Sequence, residues 1–390
     1  MIEPIKKSAY DIVVVGGGIA GIAASVAAAR EGKRVLLIEK QVNLGGLATT
    51  GLISWYEPLC NGKGKQVISG IAEELIRLAV KVGFDNLHKK WGGEGYNPPR
   101  YERFATYYSP TFFSLALDSF VRENGVELTF DTRATYPVME GDICRGVIVE
   151  NADGRCFYPA KIVIDCSGDA CIFQRGGAPC QDVENFFSYI VHETDFENTK
   201  NYVQTKDLTK LRRWKNCGSD CEGVGQPKNI KKLKGVTAQD INDYLAIGKE
   251  RMLKKYANSN RNEREILTLP TMPQLRVIRN IVGEYVFTGE NGETHFDNIG
   301  RVGDFRYEDK EYEVPYRCLY NKNFPNMLAA GRIVSAVGNG MEVLRVIPCC
   351  AVTGQAAGQA ASLAIDSQKG VGDIDVTLLQ ATLKSKGVLF

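Results

Sequence analysis

The sequence predicts an α/β fold: a discontinuous domain with a parallel sheet and a small antiparallel sheet, interrupted by an inserted α+β domain. Three observations carry this. Residues 11–40 read DIVVVGGGIAGIAASVAAAREGKRVLLIEK, an apolar run, a glycine turn, a small-residue helix and a second apolar run. Three short strand-like runs over 126–130, 134–140 and 145–150 follow an amphipathic helix, with a hairpin signal at NADG, 151–154. From about 186 to 317 Lys, Asn, Arg and aromatics rise and long apolar strands vanish, after which the small apolar pattern returns. The expected division is therefore 1–185 with 318–390, and 186–317 as the insertion.

The elements follow in order. Ile12 to Val15 are short, continuous and β-branched, as a buried parallel strand requires. Gly16, Gly18 and Gly21 fit G-x-G-x-x-G. Gly16 permits the tight turn, Gly18 lets a pyrophosphate approach the backbone, and Gly21 lets the helix lie close on the strand. The helix N-terminus at Ile19 and Ala20 offers free N–H groups and a positive dipole end to phosphates. Gly32 ends the helix, Val35 to Ile38 form the next strand, and Glu39 stands at its tip, where an acid would bind ribose hydroxyls. Strand, helix, strand and acid together predict a Rossmann-type dinucleotide site. A tight turn without a ligand would leave the acid unexplained.

Helices are expected over 66–83, with Ile71, Leu75, Ile76, Leu78 and Ala79 on one face, and over 110–124. Residues 84–108, rich in Gly, Pro, Tyr and charge, read as a surface loop. CNGKGKQ, 60–66, lacks the P-loop pattern and a preceding strand, so it reads as a polar loop.

A second glycine pair follows Glu39 directly in NLGGLATTG, 43–51, where a plain NAD dehydrogenase would place a helix. Apolar runs broken by small-residue turns recur at KIVIDCSGDA, 161–170, and NMLAAGRIVSAVGNG, 326–340. With ISGIAEEL (68–75), PQLRVIRNIVGEYVF (273–287) and RVIPCCAVTGQAAGQAA (345–361), the chain resembles the FAD-dependent oxidoreductases of the glutathione-reductase-like Rossmann type, related to the fumarate reductase flavoproteins and the tRNA-modifying flavoproteins. The resemblance implies FAD. To the residues already named, it adds Lys40, Gly45, Gly46, Leu47, Ala48 and Thr49, then Arg133, Ala134, Ser167, Gly168 and Asp169. From the last third it adds Gly331, Arg332, Pro348, Ala351 and Val352. It identifies the cofactor better than the substrate, and 186–270 match no known pattern.

Composition bounds the rest. The 390 residues are 44% hydrophobic and 24% charged, with a net charge of +2 that gives no whole-chain case for nucleic acid or acidic partners. Eleven scattered cysteines, without C-x-x-C or zinc spacing, read as free thiols in a reducing cytosol, and no metal site is expected. The apolar stretch 12–29 holds four glycines and has a better use than a membrane span. A cytoplasmic protein that does not engage a membrane is expected; a homo-oligomer stays open.

The flavin would carry the redox chemistry, leaving the protein to supply position, protons and electrostatics. Arg345, at the start of the last long helix, could stabilise negative charge on the reduced ring, or merely pair with Glu342. His192 could face the flavin, although a lone His beside a strand is more often structural. Arg276 and Arg279, three apart, would share one face if this stretch is helical and could bind a carboxylate; a salt-bridged domain contact is the equal alternative. Tyr316 and Arg317 are a similar pair of candidates. Cys60 reads as inert, and Trp55 and Tyr56 as packing residues. Residues 206–234 hold nine Lys or Arg against three acids, a solvated face before an RNA surface.

The expectation is hydride transfer between a small polar hydroxy or carboxylate compound, sugar-like ones included, and flavin N5. The electron partner would be a soluble carrier, a partner protein or oxygen. Reduction of an activated C=C bond, an RNA-modifying flavoprotein and a plain NAD dehydrogenase are the alternatives.

Overall fold

The computed structural model describes residues 3–95 and 98–390. Strands β1 (Ile5–Lys6) and β2 (Tyr10–Val15) lead into helix α1 (Ile19–Arg30), and β3 (Val35–Ile38) completes the opening βαβ unit. A short ribbon of β4 (Trp55–Tyr56) and β5 (Thr106–Tyr107) brackets α2 (Ile71–Val80). Then α3 (Pro110–Glu123), begun by a proline in its first turn, runs to β6 (Glu127–Thr129). The meander β7 (Arg133–Glu140), β8 (Ile143–Asn151) and β9 (Gly154–Asp165) follows. The first half of β9 pairs antiparallel with β8, and its second half runs parallel to β2. One twelve-residue strand thus joins meander to sheet.

Short α4 (Cys171–Arg175) and β10 (Cys180–Asp182) lead out of this body. Beyond them β11 (Ile190–Asp195), α5 (Phe196–Thr205), β12 (Arg213–Asn216), α6 (Ala238–Tyr256) and β13 (Arg264–Thr268) build a three-stranded antiparallel sheet with helices. Thr237 and Asp240 close a reciprocal capping box at the start of α6. Phe187, Tyr189, Val191, Tyr244 and Met252 give this unit its own core. Gly248 lets α6 approach, since a Cβ there would stand 2.2 Å from the Tyr189 ring. The chain returns through β14 (Arg279–Ile281), antiparallel to β10 with Cys180 opposite Ile281.

The ribbon β15 (Asn298–Gly303) and β16 (Glu311–Pro315), then β17 (Met327–Ala329), α7 (Gly338–Leu344), α8 (Ile347–Ser367) and α9 (Val376–Ser385) complete the body. Five parallel strands run in the order β6-β3-β2-β9-β17. Alternation along β2 covers both faces: Ile12 and Val14 join the core under the helices, Val13 and Val15 the core under the meander. Helix α1 is buried from Ile19 to Ala28, as a helix apolar all round must be. It meets α8 at two glycines, where added Cβ atoms would lie 2.3 Å from the Ala20 carbonyl oxygen (Gly354) and 2.2 Å from that of Ala24 (Gly358).

Two expectations are corrected. The insertion ends near β14 rather than at 317, because Phe287, Ile299, Tyr312, Val314 and Tyr316 pack into the main core. Their short ribbon carries no long apolar run to reveal this. Nor is 84–108 a plain surface loop: Asn86, Phe104, Thr106 and Tyr108 are fully buried, and Trp91 stacks on Phe104 with ring centroids 4.3 Å apart. Among the described residues no helix is long and apolar enough to cross a membrane.

Candidate functional site

The glycine turn between β2 and α1 separates fold from function. Gly16 has φ +103°, and a Cβ on it would meet the Cys166 carbonyl oxygen at 2.4 Å. A Cβ on Gly21 would stand 1.9 Å from the Gly16 carbonyl oxygen. Packing alone demands both. Gly18 differs: its φ of −72° and ψ of 178° suit any residue, and nothing lies within 4 Å of where its Cβ would be. The protein has no need of a glycine there; a group lying against the backbone does. Helix α1 starts beside it with no side-chain cap, so its first N–H groups are available to an anion.

Glu39 is buried at the tip of β3 and accepts hydrogen bonds from Gly17 N–H (2.6 Å) and Gln41 N–H (2.8 Å). Burial raises its pKa, and the two N–H donors oppose that rise. Each carboxylate oxygen keeps a lone pair for a ribose hydroxyl. Gly45 N–H donates to the Gly17 carbonyl oxygen (2.8 Å), holding the second glycine pair against the first.

Across the cleft, the carboxylate of Asp165 accepts from Ser167 N–H (3.0 Å) and Ile172 N–H (3.0 Å), fixing the turn that carries Ser167, Gly168 and Asp169. Burial would raise the pKa of Asp169, but Lys40, the Ser167 hydroxyl and Arg332 outweigh it and hold it low. Gly331 has φ +79°, and its N–H donates to Thr353 Oγ1 (2.9 Å). Arg332 turns inward and donates through Nη1 to the Leu275 carbonyl oxygen (2.5 Å). Burial lowers its pKa and the Asp169 carboxylate opposes that, although no carboxylate among the described residues is in direct ion-pair contact with it. A part-buried guanidinium on a cleft wall, with no carboxylate in direct ion-pair contact and Asp169 only at longer range, can take an anion.

Gly16, Gly18, Ile19, Ala20, Glu39, Lys40, Gly45, Gly46, Leu47 and Ala48 all line this cleft, with Arg133, Ala134, Ser167, Gly168, Asp169, Gly331 and Arg332 opposite. Gly21 serves helix packing instead. Thr49 is turned away onto the Leu44 carbonyl oxygen. Pro348, Ala351 and Val352 are buried on α8 and do not line the cleft; Ile347 and Cys350 do. Gln41, Thr132 and Met272 also line it without having given a sequence signal.

The N-terminus of α8 is not bare. Glu57, buried and missed from the sequence as an isolated acid in an aromatic stretch, accepts from Ile347 N–H through Oε2 (3.2 Å). Burial pushes its pKa up to about 7, with Ile347 N–H and Arg345 pulling the other way.

The catalytic candidates divide. Arg345 lines the cleft and is bound to Glu342 through Nε (2.9 Å). Arg276 lies beside Arg332, which bonds its carbonyl oxygen (3.5 Å), and donates to the carbonyl oxygens of Phe186 (3.1 Å) and Ser219 (3.2 Å). The stretch holding Arg276 and Arg279 is not helical, so the two share no helical face: Arg279 lies in β14, ion-paired to Asp182 (3.0 Å), the salt-bridged contact of the two readings. Tyr316 is corrected too, its hydroxyl buried on the Val371 carbonyl oxygen (2.7 Å) and outside the cleft. Arg317 is held by Asp297 (3.0 Å). His192 sits on β11, buried, with Nε2 3.4 Å from Ser54 Oγ, and lines none of the cofactor cleft. Burial, with Arg212 nearby, lowers its pKa to about 3, so the imidazole is neutral at physiological pH. Burial pushes the Cys60 thiol up to about 12, which leaves it unreactive.

A turn left open at Gly18, an acid that can bind ribose and a part-buried guanidinium on the cleft wall fit the diphosphate and ribose of FAD. The chain is similar to the digeranylgeranylglycerophospholipid reductase of Methanosphaerula palustris, 26% identical over 212 residues, which are 50% of this chain and 48% of that protein. It is similar to the thioredoxin reductase of Ureaplasma parvum, 31% identical over 81 residues, 21% of this chain and 26% of that one. The chain thus spans about half, or less, of the length of these curated relatives. A geranylgeranyl bacteriochlorophyll reductase-like structure from Thermoplasma acidophilum aligns over 98% of this chain and 83% of that one, with 12% identity and a TM-score of 0.48. The profile described as FAD dependent oxidoreductase matches residues 11–182 and 239–383, covering the glycine turn, Glu39, the Asp165 turn, Arg332 and the start of α8. On that match the chain belongs to the FAD dependent oxidoreductase family, and its cofactor is FAD.

Proposed function

We propose that the enzyme moves a hydride between a small polar organic substrate, a hydroxy or carboxylate compound, and flavin N5. FAD supplies the hydride chemistry when bound. The observation that supports the substrate class is a surplus of guanidinium at one end of the cleft. Arg332 and Arg345 line it, Arg276 packs beside them, and Glu342 is the one carboxylate in ion-pair contact with any of the three among the described residues. Such forks hold a carboxylate in a fixed orientation through paired N–H donors. His192, neutral, with its pKa lowered to about 3 and set away from the cleft, is neither the acid nor the base near pH 7 in this reading. Electrons would pass onward to a soluble carrier or to oxygen.

A second reading is reduction of an activated C=C bond. It draws on the similarity, over about half the chain, to a digeranylgeranylglycerophospholipid reductase. One experiment separates the two. The purified yellow protein is mixed anaerobically with hydroxy acids and sugar acids, and, after dithionite reduction, with unsaturated acids. Bleaching by a hydroxy acid supports dehydrogenation, and reoxidation by an unsaturated acid supports C=C reduction. Inertness to both sets removes the small-carboxylate class.

A further inference from the structure

A second cavity lies outside the cofactor cleft, between the main body and the insertion. Its volume is about 290 Å³, enough for a small metabolite. Ser54, Asn86 and Tyr108 form one wall, Arg212 and Trp214 the other. Two features of it are unexplained by the fold.

The first is Asn86. Its side chain is fully buried, yet neither Nδ2 nor Oδ1 has a hydrogen-bond partner among the described residues. Buried amides are almost always bonded, because the unmet donor and acceptor lose water and gain nothing. The second is Arg212. Its neighbour Arg213 is spent on Glu193 and Asp195, whereas Arg212 reaches only the Tyr108 carbonyl oxygen (3.2 Å) and meets no carboxylate among the described residues. Of the other lining groups, Ser54 Oγ accepts from Trp214 Nε1–H (2.9 Å), and Lys210 adds a further positive charge.

We propose that this cavity binds a small anion that also carries a hydroxyl, a hydroxy carboxylate being the simplest member. The chemistry follows from what is unmet. Arg212 offers charge-assisted donors to an oxyanion. Asn86 Nδ2–H needs an acceptor and can share that oxyanion. Asn86 Oδ1 needs a donor, which carboxylate or phosphate oxygens lack and a hydroxyl provides. The cavity also adjoins the cofactor wall: the Tyr108 hydroxyl donates to the carbonyl oxygens of Ala48 (2.8 Å) and Ile53 (2.7 Å), and Ala48 lines the cleft. The site is read from Asn86 and Arg212 alone and goes beyond hydride transfer, so binding is measurable whatever the enzyme oxidises.

The test is calorimetric titration of the FAD-loaded protein at low salt with two pairs of probes: malate against succinate, and glycerol 3-phosphate against propyl phosphate. The hydroxylated member of at least one pair should bind about tenfold more tightly than its partner, the effect of one hydrogen bond to a buried group. Arg212→Gln should weaken that binding by at least about tenfold, while Arg212→Lys retains part of it. Asn86→Leu should erase the preference for the hydroxyl and raise the melting temperature, since it removes the unmet polar atoms. Retained FAD absorbance confirms that each variant is folded. The malate and phosphate arms tell a carboxylate ligand from a phosphate one. The proposal is overturned if no probe binds, if hydroxylated and plain probes bind equally, or if folded Arg212→Gln and Asn86→Leu proteins bind as the parent does.

Discussion

Replacing Gly18 with alanine separates what the glycine turn does for the fold from what it does for FAD. At φ −72° and ψ 178°, with nothing within 4 Å, a methyl group fits the protein without strain. The loss of glycine's freedom in the unfolded chain should then stabilise the apoprotein by about 0.4–1 kcal/mol. The same methyl occupies the space where the diphosphate must meet the backbone. Forcing an extra carbon into a close contact costs about 1–3 kcal/mol, so the FAD dissociation constant should rise roughly 5- to 150-fold. Gly21→Ala is the contrast. Its Cβ would stand 1.9 Å from the Gly16 carbonyl oxygen, and the protein should fail to accumulate in folded form. The assay is urea unfolding of apoprotein together with FAD titration followed by flavin fluorescence. If Gly18→Ala binds FAD as tightly as the parent, or if its apoprotein is the less stable of the two, the assignment of that open space to the cofactor is wrong.

Other outcomes follow from the buried charges. Arg332→Met should weaken FAD binding by roughly 10- to 150-fold, the worth of a charge-assisted hydrogen bond, and unchanged affinity would show that Arg332 faces no anion. Glu57 holds its proton to about pH 7 when folded, against an ordinary 4.5. Between those values the unfolded chain binds fewer protons, so this group makes stability fall as pH rises, by up to about 3 kcal/mol at about 1.4 per pH unit. Urea melts of Glu57→Gln at about pH 5 and about pH 8 should show a flatter profile than the parent, and parallel profiles would refute the burial argument. His192 acts in the opposite sense. Its folded pKa of about 3 lies below the ordinary 6.5, so it costs stability as pH falls from 6.5 towards 3. His192→Asn should resist acid better, and equal acid midpoints would show that the imidazole takes up its proton while folded.

The opening βαβ unit was legible because every local signal agreed: β-branched strand, glycine spacing, small-residue helix, second strand and Glu39. Gly45, Gly331 and Arg332 were named through resemblance, and the structure brings all three to the lining of one cleft. Pro348, Ala351 and Val352 were misplaced because the segment marks a helix without marking which side of it faces the cleft. For Arg279 the sequence left a carboxylate site and a salt bridge open, and Tyr316 was misread, because Asp182 and the Val371 carbonyl, which satisfy them, lie 97 and 55 residues away in sequence. Glu57 and Asn86 gave no signal at all. An isolated acid or amide acquires meaning only from burial, and the burial of each depends on segments distant in the chain.

The pairing of Cys180 opposite Ile281 means that about a hundred residues leave and rejoin the body through two touching backbones. In topological terms such an excursion is a graft on a two-stranded stem. Its interior could lengthen, shorten or be exchanged while the ends stayed in register, leaving the cofactor machinery intact. Substrate preference could then diversify on a constant redox chassis, with evolutionary change concentrated beyond that stem.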